Sequence, residues 1–323
     1  MQRPISFTRT GGVPGTSTDT DPAVHLDTEP HLDTEPRHDT RPRHATGTFD
    51  PATSRNIPRT SSRAPSGAAS RIPRALAGAS QAAVTLVLAP VLLVQARRTA
   101  RRTPRLAPAS GADRGAVGGA VPPLRLAVVG ESTAAGVGAP RHDQALPGFL
   151  AGALHRRLRR GVAWVVAGRN GATARRVGTD LVPFLPDGTC GDPPPDVVVV
   201  TVGINDLIRR RPLRRWSADL ADLLGAVRAR CRDAQVIVAG MPPVHRFPAL
   251  PQPLRAVMGG RARAMDRIMR DVARANGAVH VPMDPGMAAD RRLFASDGFH
   301  PSPDGYRVWA DGLAAAVGTG PAR

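Results

Sequence analysis

"DVVVVTVGIND", residues 196–206, is the stretch from which the fold can be read. Val197 to Val202 is a β-branched run too apolar to have a wet face, as expected of a strand in a parallel sheet covered on both sides. Similar runs recur on either side: LRLAVV (124–129), VAWVVA (162–167), QVIVAG (235–240) and AVHV (278–281). Between and after them lie helical stretches, near 143–159, 173–184, 217–230, 254–275 and 303–316. Strand–helix alternation of this kind implies a doubly wound, three-layer α/β fold around a parallel sheet of about five strands.

Upstream of Leu124 the character changes. Residues 1–74 are rich in Thr, Pro, Asp, Arg and Ser and cluster few apolar side chains, so they read as a disordered low-complexity tail. The short imperfect repeat HLDTEP-HLDTEP-RHDTRP (25–42) lies inside it. Ala75–Ala96 is a run of 22 residues without a charge, flanked by Arg71 and Arg74 on one side and by Arg97, Arg98, Arg101 and Arg102 on the other. It is long enough for a membrane anchor, with an interfacial helix as the alternative. A basic linker rich in Pro and Gly, 97–123, leads to the domain at 124–323.

Composition narrows the function. The formal net charge of +18 invites a nucleic-acid reading. All 44 basic residues are arginine, however, which points to compositional bias, and aromatic residues are only 3%. With no nucleic-acid-binding signature in the chain, no such partner is expected. Two cysteines exclude a disulfide framework or a multi-cysteine zinc site. No G-x-G-x-x-G, no G-K-[ST] and no G-x-S-x-G is present, so the dinucleotide fingerprint, the P-loop and the nucleophile elbow are absent. No cofactor or metal is implied.

In a doubly wound sheet, ligands bind at the carboxyl ends of the strands. The first strand is followed by Gly130-Glu131-Ser132-Thr133 and the second by "GRNGAT" with Gly171. The third is followed by Gly203-Ile204-Asn205-Asp206, and the fifth, some distance on, by Asp297-Gly298-Phe299-His300. Each block alone has an ordinary explanation as a cap or turn. Together they put a hydroxyl, hydrogen-bond donors and a carboxylate–imidazole pair at one sheet edge.

These four blocks, in this order, resemble those of the SGNH (GDSL-type) hydrolases, a family of esterases and lipases. The resemblance covers about Leu124 to Val317. It implies a flavodoxin-like strand order 2-1-3-4-5 and a serine esterase acting on a carboxylic ester, with Ser132 as nucleophile, His300 as general base and Asp297 orienting the imidazole. The oxyanion donors would be the N–H groups of Ser132 and Gly171 and the side-chain amide of Asn205. Alternatives on the same scaffold are an O-acyltransferase and a catalytically inactive binding protein. One departure stands out: Glu131 occupies the place of the usual aspartate, a carboxylate that the chemistry does not require.

Four further expectations follow. Phe247 and Leu250, in the segment after the fourth strand, would line an apolar substrate site. Arg209 and Arg211, in "RRRPLRRW" (209–216), would form a cationic rim drawing anionic or lipid esters, with a membrane surface as a possible partner. In the implied strand order Cys190 and Cys231 lie at the amino edges of neighbouring strands, where a bridge could form in an oxidising compartment. The arginines after the apolar run favour a cytoplasmic domain, and a bridge would favour the opposite side.

Overall fold

The computed structural model describes residues 87–119, 122–189 and 191–318. The tail, its repeat and Cys190 lie outside these residues, and so does the bridge expected of Cys190. The sheet strands are β1 (Arg114–Val117), β2 (Leu124–Gly130), β3 (Val162–Gly168), β4 (Val197–Thr201), β5 (Gln235–Ala239) and β6 (Val279–Val281), in the order β1-β3-β2-β4-β5-β6. All neighbours are parallel except β1, which runs antiparallel to β3. Counting only the parallel strands, the order is 2-1-3-4-5.

Alternation along the strands divides the core. Leu126, Val128, Val197 and Val199 face one layer, with α2 (Leu146–Leu158) and α7 (Pro303–Ala316) over them. Ala127, Val129, Val198 and Val200 face the other. That layer holds α3 (Ala174–Asp180), α5 (Leu213–Arg230) and α6 (Leu254–Ala275). Every residue of β4 is buried, as its composition requires. Apolar side chains buried this deeply contribute roughly 1.5–3 kcal/mol each.

Three differences from the sequence reading have physical causes. The presumed linker is structured at 114–117, where its backbone groups satisfy the free edge of β3. Helix α5 begins at Leu213 rather than near 217, because Pro212 occupies the N-cap and the Arg214–Arg215 pair forms the first turn. A short helix, α4 (Ile204–Ile208), forms directly after β4.

The anchor candidate is seen only in part, because residues 75–86 lie outside the described residues. Among the described residues no helix is long and apolar enough to cross a membrane. The described part of that segment forms α1 (Ala89–Arg102), which runs beyond the apolar stretch, with Pro90 tolerated in its first turn. Leu92 is buried in the domain's core. The Gln95 side chain donates to the Gln252 carbonyl (2.6 Å) and accepts from the Leu254 N–H (3.1 Å).

The carboxyl ends of β3, β2 and β4 are level, since Gly130 pairs with both Gly168 and Thr201. A Cβ on Gly130 would stand 2.1 Å from the Thr201 carbonyl oxygen, so this close approach requires glycine. Gly130→Ala should therefore lower unfolding free energy by on the order of 3 kcal/mol, measured by urea denaturation. An unchanged midpoint would show that β2 and β4 can separate freely.

Candidate active site

Ser132 sits in the turn after β2 and is only 6% exposed. His300 comes from the loop before α7, whose N-cap is Ser302 and whose first residue is Pro303. Across this gap of 168 residues, His300 Nε2 lies 3.0 Å from Ser132 Oγ. On the other side of the ring, Nδ1 lies 2.6 Å from Asp297 Oδ2. The second Asp297 oxygen accepts the backbone N–H groups of Phe299 (2.9 Å) and His300 (3.0 Å), which fixes the carboxylate. Burial alone would raise Asp297. The His300 ring, these two N–H groups and the imidazole charge outweigh it and hold the carboxyl below its ordinary range. An imidazole held in this way can accept the serine proton and have its positive charge balanced.

The other candidate donors, Gly171 and Asn205, stand after β3 and β4 and do not line the cavity that holds Ser132 and His300. Gly171 takes φ +80°, a left-handed conformation suited to glycine, and open space lies where a side chain would be. Asn205 is the second residue of α4 and is tied to Glu131. The Glu131 carboxylate accepts from the Ile204 N–H (3.0 Å), the Asn205 N–H (3.0 Å) and Asn205 Nδ2 (2.5 Å). Its position next to Ser132 thus links the two turns directly. Sequence reasoning treated this residue as dispensable; the one available signal was its departure from the usual aspartate.

Asp206 was likewise read as an ordinary turn residue. It is fully buried and accepts the Ala174 N–H (2.9 Å), joining the start of α3 to α4. Burial pushes Glu131 up to about 7, against its three hydrogen bonds, and the neighbouring Asp206 adds to the rise. Burial likewise pushes Asp206 up to about 6.

The substrate-site candidates divide. Phe247 lines a cavity of about 680 Å³, including its mouth, together with Ser132, His300, Thr201, Gly240 and Met287. Leu250 is buried in the core and does not line this cavity, because its loop turns away toward α1. Arg209 remains exposed, and its guanidinium donates to the Gly171 carbonyl (3.3 Å). Arg211 does not join a rim: its guanidinium makes paired bonds to Asp219 (2.6 and 2.9 Å) and is half-buried. Among the described residues no group of three or more His, Cys, Asp or Glu side chains is arranged to hold a metal.

A serine, an imidazole and a carboxylate in hydrogen-bonded series at the carboxyl edge of a doubly wound sheet define a serine-hydrolase-type site. Residues 128–308 match the GDSL-like lipase/acylhydrolase family, and the chain belongs to it. A GDSL-like esterase of Mycobacterium tuberculosis is 30% identical over 207 residues, 60% of this chain and 62% of that protein. The chain thus matches somewhat less than two thirds of that relative's length. Among solved structures, an esterase of Pseudoalteromonas sp. is 16% identical with a TM-score of 0.48, covering 60% of this chain and 97% of its own. Phospholipase A1 of Streptomyces albidoflavus is 18% identical with a TM-score of 0.47, covering 60% and 99%.

Glu131→Gln tests the link between the two turns. The new amide places a donor against donors, so Asn205 loses its anchor. Activity on a small ester should fall on the order of tenfold, and Asn205→Ala should cost roughly 10²–10³ if its amide has the oxyanion role that the resemblance implies. The folded protein holds the Glu131 proton up to about 7, whereas an exposed glutamate releases it near 4.5. The group's stabilising contribution is therefore complete below 4.5 and is lost as pH rises through 7. Between those values the melting temperature of wild type should fall relative to that of Glu131→Gln; parallel curves would refute the assignment.

Proposed function

We propose that this chain hydrolyses a carboxylic ester with an apolar acyl group through an acyl-serine intermediate. The observation that carries the reading is the hydrogen-bonded series Ser132–His300–Asp297, at 3.0 and 2.6 Å. Ser132 Oγ attacks the ester carbonyl carbon while His300 Nε2 takes its proton, and Asp297 balances the imidazolium at Nδ1. The carbonyl oxygen, now negative, accepts from the N–H groups of Ser132 and Gly171 and from the remaining amide hydrogen of Asn205. His300 returns the proton to the departing alcohol. Water, deprotonated by the same imidazole, then releases the acid and regenerates the serine.

The surroundings support a division of the ester between two sides. The narrow cavity crosses the strand ends from Ser132 past Thr201 in β4 and Gly240 just after β5 to Met283 beyond β6, a span of about 14 Å at the usual strand spacing. Phe247, Phe294 and Phe299 pack edge to face over it, with ring centroids 5.6 and 5.0 Å apart. The acyl group stays through both half-reactions and gains from such a site. The alcohol must leave before water enters, which suits the open side at Gly171.

A fluorophosphonate probe should label the full-length wild type and fail to label Ser132→Ala. Labelling that survives in Ser132→Ala, or no labelling of folded wild type, would end this reading. Product analysis with an added alcohol separates hydrolysis from acyl transfer.

The bond from Arg209 to the Gly171 carbonyl supports a cation on the proposed alcohol side. Arg209→Ala should slow hydrolysis of esters with an anionic alcohol by up to about fivefold, the scale of an exposed charge pair, and spare a neutral p-nitrophenyl ester. Raised salt should mimic it. Equal effects on both substrates would remove Arg209 from the substrate site.

A further inference from the structure

Helix α1 carries two stripes with different fates. Leu88, Leu92, Gln95 and Thr99, spaced by four and three, face the domain and are buried or half-buried. The adjacent positions Val91, Val94, Arg98 and Arg101, with Val87 just before the helix, are exposed over about 20 Å at the helical rise. Val87, Val91 and Val94 are 78%, 46% and 48% exposed, and Leu93 beside them is 51% exposed. Three uncovered valines in a row differ from the single apolar residues any surface carries. From Arg97 onward the exposed positions become cationic: Arg97, Arg98, Arg101 and Arg102 have no carboxylate partner among the described residues.

Apolar residues in one half of an exposed stripe and arginines in the other match an anionic lipid surface: the valines enter the acyl boundary and the guanidiniums meet the headgroups. A protein partner complementary to this stripe would need an apolar patch followed by carboxylates. The sequence upstream reinforces the match, since the charge-free run that ends in this helix begins at Ala75. We infer that the outer stripe of α1 is an interfacial docking surface for anionic lipid. The clamp of Gln95 on Gln252 and Leu254 holds the helix against the domain. A cleft lined by Arg98 and Arg102 separates α1 from loop residues 248–251 and from Ser296 and Asp297, next to Phe247 and His300. Docking through this stripe would therefore bring the surface to the loops that build the candidate site.

Full-length protein should co-sediment with phosphatidylglycerol vesicles and much less with phosphatidylcholine vesicles. Arg98→Gln with Arg101→Gln should weaken binding to the anionic vesicles roughly 30-fold, at about 1 kcal/mol per arginine near the surface. Val91→Asp with Val94→Asp should weaken it at least as much. Both double variants should hydrolyse a soluble p-nitrophenyl ester at the wild-type rate, which shows that they fold and keeps this test separate from that of Ser132. Wild-type binding by either variant would place the lipid contact elsewhere and overturn the proposal. So would a concentration-dependent dimer, seen by light scattering, that the valine variant abolishes while vesicle binding is absent.

Discussion

The Glu131 carboxylate accepts three hydrogen bonds from the first two residues of α4 while its own backbone continues β2, so the turn holding Ser132 and the turn holding Asn205 are one unit. Level strand ends make this possible. Gly130 lies against Thr201 with no room for a side chain, and Glu131 N–H donates to the Thr201 carbonyl at 2.9 Å. A longer side chain than aspartate then spans the distance to α4. In a buried position a carboxylate lacking those donors would cost several kcal/mol, so the pairing is obligatory for the fold as well as useful for the site.

Asp297 shows the opposite balance under similar burial. Its donors are two loop N–H groups and an imidazole, and the imidazole can become positive, so the charged form prevails. Glu131 has only neutral donors and a second buried carboxyl nearby, so desolvation prevails. Two carboxyl groups at one sheet edge are thereby driven apart, one kept ionised and one holding its proton to near neutrality.

The parts legible in the sequence were those with a period or a run. Five parallel strands announced themselves by apolar runs, and the Ser132, Asn205 and Asp297–His300 blocks by standing at their carboxyl ends. Strand β1 gave no signal, because RGAV is four residues long with a half-exposed pattern that any loop could show. Arg209 and Arg211 look alike in the sequence. Only the helix beginning at Leu213 brings Asp219 under Arg211 and neutralises it. Glu131 was misjudged because its partners, Ile204 and Asn205, are more than seventy residues away. The apolar run 75–96 likewise gave no sign that Leu92 and Gln95 pack against the domain.

In the proposed reaction the same contacts give the Asn205 amide a larger part than the helix that carries it. The first N–H groups of a helix are ready donors for an anion, and α4 starts beside Ser132. Two of those donors are already engaged by Glu131, however, and the buried Asp206 lies one residue further on. In that reaction a developing oxyanion would find these two N–H groups of α4 already taken. What remains is the second hydrogen of Asn205 Nδ2, aimed by the bond its first hydrogen makes to Glu131, together with backbone donors on the turns at Ser132 and Gly171. A proton on Glu131 would remove a negative charge behind the Asn205 amide but would also loosen the bond that aims it. Electrostatic relief and positioning thus pull in opposite directions as pH falls through 7, and the balance between them is set at a single carboxyl group.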